Sequence, residues 1–214
     1  MIDQEILTEI QYALLELPDG EPDGGASWPS EVWRREEVLQ ALNDSQAAVV
    51  RDTRVLTAYV EQPVLTDARS VSTPSDWLAS AHVVFRTEPQ GVRRYLHALS
   101  AVEADLGASG WETARDLPYG YIDGAAQTLE IQLVPTPSQD GTLEHLYVPQ
   151  PGVLDGNGQT LDVPEIAASA VKYRTLETLL SGAHRLQDPE RAAYCRDRAA
   201  VVVAALQTLL LGGI

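Results

Sequence analysis

The residues that could do chemistry are few in this chain and lie far apart in the sequence. Four histidines and one cysteine are present, and no two of them have the spacing that a zinc site requires. The sequence lacks a GxSxG nucleophile turn and a GxxxxGK(S/T) phosphate loop, the usual signatures of acyl and phosphoryl transfer. We therefore expect each histidine to occupy a surface or a turn. The histidines are His82, His97, His145 and His184.

The single cysteine, Cys195, shares an apolar helical face with Ala192 and Ala199. A buried structural thiol is the simplest interpretation of this placement. One cysteine cannot form an internal disulfide, and such a composition is typical of a reducing compartment.

The stretch DGNGQTLDVPE is the best candidate for a metal site. Its residues Asp155, Asn157 and Gln159 resemble the first oxygen ligands of a calcium loop. Such a loop needs glycine at its sixth position and glutamate at its twelfth, where this chain has Thr160 and Ile166. We interpret the stretch as a glycine-rich turn and expect no metal and no cofactor.

Paired carboxylates are the remaining route to catalysis. With 31 acidic residues in the chain, some will lie close together by chance, but a glycosidase needs two of them on a rigid cleft, usually lined with aromatic rings. Aromatic residues make up only 6% of the chain. Each tryptophan lies near the end of a predicted element, where it is better placed to pack a loop; the four are Trp28, Trp33, Trp77 and Trp111. We expect no catalytic residues, and a carboxylate-dependent cell-wall glycan hydrolase stays open as the alternative of a different class.

The charge balance of the chain is strongly acidic, with a formal net charge of −16. Because binding to phosphates depends on cationic side chains, we do not expect the protein to grip nucleic acid. An acidic wall could still lie beside DNA and let it pass, although solubility is a sufficient explanation for the charge. No signal peptide is predicted, and the most apolar run, from Ala199, is too short to cross a bilayer. We expect a buried helix there and no membrane contact.

Helical periodicity at both ends of the chain frames a middle region with the periodicity of strands. The first helix should run from Ile2 to Leu17 and end at Pro18, and the second should span Arg34 to Thr53. We predict an α+β fold in which helices from both termini form one bundle with an inserted antiparallel β-rich region. The expected boundaries are residues 1–54 for the N-terminal helices, 55–160 for the β-rich region and 161–214 for the C-terminal helices.

Within the middle region, TLEIQL alternates cleanly, with Leu129, Ile131 and Leu133 on one side. PYGYI precedes this run and TLEHLYV follows it, each across an Asp-Gly pair. We therefore predict three antiparallel strands joined by tight turns. A short helix over about residues 97–105 should interrupt the strands.

The two C-terminal helices have recognisable starts. Asp162 with Glu165 predicts a capping pair for one, and Asp188 before Pro189 predicts the N-cap of the other. The last helix is apolar on several faces: Ala199, Val203, Leu206 and Leu210 form one stripe, and Val201, Val202, Ala205 and Leu209 lie outside it. A helix that is apolar all round should be covered all round. Another subunit or protein would provide that cover most simply, and the β-rich region is the alternative.

Several motifs occur in the order found in one family. The segment WRREEVLQALNDSQAAVVRDT resembles the second helix of head-to-tail adaptor (connector) proteins of tailed bacteriophages. The matching positions of that helix are Trp33, Glu37, Leu39, Leu42, Asn43 and Gln46. STPSDWLASAHVVF is similar to the beginning of a strand in that family through Pro74, Asp76, Trp77 and Leu78. HALSAVEADLGASGW, PYGYI and the following strands resemble its short helix and β-meander, and LDVPEIAASAVKYRTLETLLS and DPERAAYCRDR resemble its closing helices.

This resemblance implies a structural virion protein of the neck that assembles from the host cytoplasm. Copies would form a ring beneath the portal protein, usually a dodecamer, which joins the capsid vertex to tail or nozzle proteins. The ring would leave a channel through which DNA passes without specific binding. Another neck or tail-accessory protein is the alternative of the same class.

Surfaces, and not catalytic residues, would then carry the function. We expect the last helix to face the portal or a neighbouring copy through Val202, Leu206, Leu209 and Leu210. The loop of Glu21, Asp23 and Trp28 and the turn of Asp140 and Gly141 should face other ring or tail components.

Overall fold

The computed structural model describes residues 1–15, 28, 33–89, 91–107, 110–123, 129–182 and 187–211. The chain divides into two compact units, one of Met1–Leu56 with Gln150–Ile214 and one of Thr57–Pro149. In chain order the elements are α1 (Asp3–Leu14), α2 (Arg35–Thr53), β1 (Ala58–Val64), β2 (Ser70–Ser72), β3 (Trp77–Thr87), β4 (Arg93–Ala98), α3 (Ala101–Gly107), β5 (Arg115–Asp116), β6 (Gly120–Asp123), β7 (Glu130–Val134), β8 (Thr136–Pro137), β9 (Gly141–Pro149), α4 (Glu165–Ser181) and α5 (Pro189–Leu211). The predicted α+β class, with helices from both termini and a largely antiparallel sheet between them, is confirmed.

The helical unit has a core built from apolar stripes at helical spacing. Ile6, Ile10 and Leu14 lie four residues apart on α1 and are at most 9% exposed, as expected for the buried face of a surface helix. The first helix is shorter than predicted because Leu15 adopts a left-handed conformation with φ 61° and ends it. Leu17 and Pro18 lie outside the described residues.

The starts of the helices follow the sequence signals only in part. Asp188 caps α5 as predicted, since its Oδ1 accepts the Arg191 backbone N–H at 3.0 Å. The predicted capping pair of α4 is wrong. The Asp162 carboxylate instead accepts the backbone N–H of Gly152 at 2.6 Å, and Pro164 holds the N-cap position without a side-chain hydrogen bond.

The β unit is a seven-stranded sheet in the order β1-β9-β3-β4-β6-β7-β2. Its neighbouring strands are antiparallel except for β4 and β6, which are parallel because the crossover through α3 returns the chain in the same direction. The Gln62 side-chain amide donates to the Ser72 carbonyl oxygen at 3.0 Å, so the sheet curls until its two edge strands meet. The enclosed core includes Val64, Phe85, Leu96, Ile131, Leu133 and Leu143.

The predicted three-strand meander is only half correct. β6 and β7 form an antiparallel pair, but β9 pairs with β1 and β3 and not with β7. The chain changes partner because β8 leaves the sheet after β7 and pairs with β5. Leu129, predicted to share the buried face, precedes β7 and is 54% exposed.

The short helix starts later than predicted, at Ala101, because Ser100 and Glu103 form a capping box. The Glu103 carboxylate accepts the Ser100 backbone N–H at 2.7 Å, and the Ser100 hydroxyl accepts the Glu103 N–H at 3.2 Å. His97 and Ala98, assigned to that helix from the sequence, belong to β4.

Candidate interaction surfaces

A loop that precedes α4 is fastened across the helical unit by side chains of α2. We call residues 152–162 the strap. Asn43 pairs with both backbone groups of Leu154: its Oδ1 accepts the N–H at 2.8 Å and its Nδ2 donates to the carbonyl at 3.0 Å. Gln46 bridges the two ends of the strap, donating to the Gly152 carbonyl at 3.1 Å and accepting the Asp162 N–H at 3.3 Å. Residues 151–160, which the sequence assigned to the β-rich region, therefore lie with the helices.

The strap is also fastened to α1. The carboxylate of Asp3 is buried, and it accepts the backbone N–H groups of Gly156 at 2.8 Å and Gly158 at 2.9 Å. Both glycines have positive φ angles, 79° and 91°, which a residue with a Cβ adopts only under strain. Two backbone donors converging on one carboxylate form an anion cradle, and this one is filled by the chain's own Asp3.

The calcium-like pattern lies in this strap and is confirmed as a glycine-rich turn. Asp155 accepts the Asn157 backbone N–H at 2.9 Å, and the hydrogen bonds from Asn157 lower the pKa of that carboxyl. Gln159 accepts the Asp155 backbone N–H at 3.0 Å. The three oxygen-bearing side chains therefore serve the turn itself. Within the described ranges, no group of three or more His, Cys, Asp or Glu residues could hold a metal ion.

One face of the strap is exposed to solvent. Leu154 is 4% exposed and packs into the helical unit, whereas its neighbour Val153 is 74% exposed. The side chains of α1 and α2 thus hold a fixed loop that presents one apolar residue at the surface.

The β unit contains a serine, a histidine and an aspartate in contact, which sequence spacing did not reveal. The Ser80 hydroxyl donates to Asp123 at 3.0 Å, and His145 Nε2 lies 3.0 Å from the same hydroxyl. The Trp77 indole N–H also donates to Ser80, at 3.3 Å. Since Ser80 gives its only proton to Asp123, His145 must donate to Ser80 and cannot act as its base. A nucleophilic triad places the histidine between the serine and the acid, whereas here the serine is in the middle.

His145 corrects one sequence prediction, because it is fully buried in β9 and not at a surface or turn. Burial lowers its pKa to about 4, so the ring is neutral at ordinary pH. His82 and His97 are exposed as expected, although they lie on β3 and β4. His184 lies outside the described residues.

A charged network covers the outer face of the sheet. The register places Glu61 opposite Glu144 on neighbouring strands. Arg86 lies 3.4 Å from both carboxylates, and Arg93 pairs with the Glu144 carboxylate. The Tyr59 hydroxyl donates to Glu61 at 2.6 Å, and this bond raises the pKa of Tyr59 to about 12. Two arginines thus neutralise two glutamates, and Glu144 is only 4% exposed.

Two of the predicted interface residues serve the fold of the β unit. Asp140 Oδ1 accepts the backbone N–H of Thr66 at 2.6 Å and its hydroxyl at 2.7 Å, and these bonds lower the pKa of Asp140. Gly141 is buried at the start of β9, where an added Cβ would lie 2.5 Å from Phe85 Cζ. Gly141 is therefore covered by the sheet, whereas Asp140 stays exposed. Their contact with other ring or tail components stays a prediction.

The predicted interface residues of the last helix differ in their exposure. Leu206 is 3% exposed and packs in the core of its own unit with Ala199 and Val203. By contrast, Leu209 is 68% and Leu210 43% exposed, and Val202 is half-buried. Leu206 therefore belongs to the stripe that the helical unit itself covers.

The remaining residues singled out from the sequence either pack in the fold or lie outside the described residues. Trp33 is 2% and Trp111 5% exposed, and Trp77 and Trp28 are half-buried. Glu21 and Asp23 lie outside the described residues, so their predicted loop has no structural account. Cys195 is buried as predicted, and desolvation raises the pKa of its thiol.

The described helices include none with the length and apolar character needed to cross a membrane. No curated protein matches the chain. The SU10 adaptor protein family matches residues 4–210, which takes in both units and every element from α1 to α5. The chain therefore belongs to the SU10 adaptor protein family and is a structural adaptor protein of a bacteriophage.

Proposed function

We propose that this protein is the subunit of a head-to-tail adaptor ring that joins the portal protein to the tail or nozzle and forms part of the DNA channel. The observation that carries the proposal is the family match over residues 4–210 of the 214 in the chain. An adaptor works through surfaces, so the proposal needs surfaces that the folded chain leaves available for other proteins.

The end of α5 supports this proposal. Val201, Leu209 and Leu210 remain between 43% and 68% exposed after the helical unit has formed its core. Exposed apolar surface of this kind is typical of interaction sites. We assign these three residues, with Val202 at their edge, to contacts with the portal or with a neighbouring copy.

The charge of the chain supports a channel role. Every copy adds a net charge of −16 to a ring, and a strongly acidic lining repels the phosphates of DNA and so opposes adhesion. We propose that DNA passes through the ring without specific binding and that the site of action is the virion neck.

Electron microscopy of the full chain mixed with its portal protein tests the proposal. We expect a ring of adaptor copies, usually twelve, on the face of the portal that points toward the tail. Density for the chain on isolated tails and none on portals would instead place it among other neck or tail-accessory proteins. Absence of binding to portal and tail alike would overturn the proposal.

A further inference from the structure

We infer that the outward face of α5 in one copy docks into a groove between α2 and α4 of the next copy. The inference rests on the ring arrangement proposed above and names the two surfaces that would meet. Both surfaces belong to the helical unit of the chain.

The outward face of α5 combines one cation with apolar residues. Tyr194, Arg198, Val201, Ala205 and Leu209 recur at intervals of three or four residues and are all exposed, so they share one side of the helix. From Ala199 to Leu211 the helix has no charged residue. In a chain with a net charge of −16, this stretch can approach another copy without bringing acids together.

Arg198 is the cation of this face. Its Nε donates to the Tyr194 hydroxyl at 3.0 Å, and its guanidinium lies 5.3 Å from the centre of the same ring. Within the part of the helical unit that the structure describes, Arg198 has no ion pair with a carboxylate, unlike Arg174 with Asp52 at 2.5 Å and Arg196 with Glu177 at 2.7 Å. Its positive charge is therefore held in place by a neutral ring and is available to a partner.

The groove between α2 and α4 has the opposite character. It encloses about 500 Å³, and Ala41 and Leu179, each 5% exposed, lie at its floor. Glu36, Glu37 and Asp44 line it with exposed carboxylates. Among the described residues none of the three has an ion pair with a cation: Glu37 accepts the Arg34 backbone N–H, and Asp44 accepts the Gln40 amide. An apolar floor edged by unneutralised acids suits an apolar helix that carries an arginine.

The two surfaces lie on different sides of the helical unit. A second groove of about 400 Å³ shares Asp44 and Thr178 with the first and is bordered on α5 by Arg196 and Ala200. These two residues lie about 100–180° round the helix from Val201 and Ala205. A contact between two different faces of identical chains is heterologous, and repeated it closes a ring or continues as a filament. A contact of α5 with its own counterpart would stop at a pair.

The size of the contact makes assembly depend on a template. We expect one helix face in one groove to bury less than the roughly 800 Å² per partner of stable complexes. We therefore expect copies to associate weakly in solution and to engage fully when a second surface, such as the portal, places them side by side.

Crosslinking between two variants of the full chain tests the inference. Val201→Cys is mixed at millimolar concentration with Gln40→Cys and treated with a short bismaleimide. The native Cys195 is buried, so the unsubstituted chain gives the background. The matched control replaces Val201→Cys by Val102→Cys on α3, since both valines are 65% exposed. We expect the Val201–Gln40 pair to give a covalent dimer in at least tenfold excess over the control.

Charge reversal then tests the arginine. Arg198→Glu in the Val201→Cys chain should reduce the yield about tenfold, and Glu36→Arg with Asp44→Arg in the Gln40→Cys chain should restore it. Circular dichroism of each variant must match that of the parent chain. The inference would be overturned by equal yields for the pair and the control. It would also be overturned by a product linked only through position 201 of both copies, or by a loss of yield that the second charge reversal does not restore. Portal binding measured separately on the unsubstituted chain shows whether the proposed function holds, whichever way the crosslinking falls.

Discussion

At the scale of single residues, Asn43 shows how a motif position acts through hydrogen bonds to a distant loop. We expect Asn43→Ala to lower the free energy of unfolding of the helical unit by about 1–3 kcal/mol, because the backbone N–H and carbonyl of Leu154 lose their partner. Urea denaturation measures the change. Gln40→Ala is the matched control, since Gln40 lies on the same helix and bonds only the exposed Asp44; it should cost less than about 0.5 kcal/mol. Equal effects of the two substitutions would contradict this role.

His145 is expected to make the stability of the β unit depend on pH. Its pKa falls from 6.5 to about 4 on folding, so between these values the unfolded chain binds a proton that the folded chain does not. The free energy of unfolding should therefore fall as the pH falls through this range. We expect a loss of about 2–3 kcal/mol from this residue, because each pKa unit corresponds to about 1.4 kcal/mol.

The variant His145→Gln isolates this effect, because glutamine can still donate to Ser80 but does not titrate. Urea denaturation across the same pH range should show a shallower slope for His145→Gln than for the parent chain. His82→Gln, at an exposed position on β3, should keep the parent slope. Asp123 also titrates in this cluster, and its pKa is raised in the folded chain. The folded chain therefore binds a proton at Asp123 more readily than the unfolded chain does. This makes the free energy of unfolding rise as the pH falls toward the ordinary pKa of an aspartate, which is opposite to the effect of His145. A parent slope retained by His145→Gln would show that other groups cause the pH dependence.

At the scale of elements, the tight packing of β3 against β9 makes Gly141 irreplaceable. An added Cβ at Gly141 would lie 2.5 Å from Phe85 Cζ and 2.6 Å from the Arg86 carbonyl oxygen. Since the carbonyl belongs to the neighbouring strand, we expect Gly141→Ala to destabilise the β unit by about 1–3 kcal/mol. Gly107→Ala is the control, because its Cβ would meet only the Tyr119 hydroxyl at 3.7 Å. Thermal unfolding of both variants checks the difference, and similar midpoints would refute the packing argument.

The sequence predicts individual helices and strands better than it predicts which of them pair with each other. The spacing of Ile6 and Ile10 specifies a buried helical face, and Asp188 specifies a helix start, because both signals are local. The pairing of β9 with β1 and β3 depends on contacts between distant residues, so the local turn signal at Asp140-Gly141 predicted the wrong neighbour. Ser80 and His145 meet for the same reason, across 65 positions of sequence, where no spacing rule applies.

Interface residues are the least predictable of all. The periodicity of α5 did not separate Leu206 from Leu209, because both are leucines on a helix that is apolar on several faces. Only the packing of α5 in its unit shows that Leu206 is 3% and Leu209 68% exposed. The strap was missed because Asn43 and Gln46 look like ordinary polar residues of a helix until their partners, more than a hundred positions away, are known.

At the scale of the whole molecule, stability and assembly should respond to different residues. Val201 is 65% exposed on the outward face of α5, so Val201→Asp should change the free energy of unfolding by less than about 0.5 kcal/mol. The same substitution places an acid in the stretch of α5 that otherwise has no charge, and burying it against a second acidic chain would be costly. We therefore expect Val201→Asp to fold normally and to form few or no rings on the portal.

Val102→Asp controls for the general effect of adding an acid at an exposed valine of equal accessibility. Denaturation curves measure folding of both variants, and electron microscopy with the portal counts the rings that each one forms. Rings from Val102→Asp but not from Val201→Asp would tie assembly to the end of α5. Rings from both variants would mean that this face stays in solvent in the particle. Since both chains would still be folded, the count measures the surface alone and separates the role of α5 in the assembly from its role in the helical core.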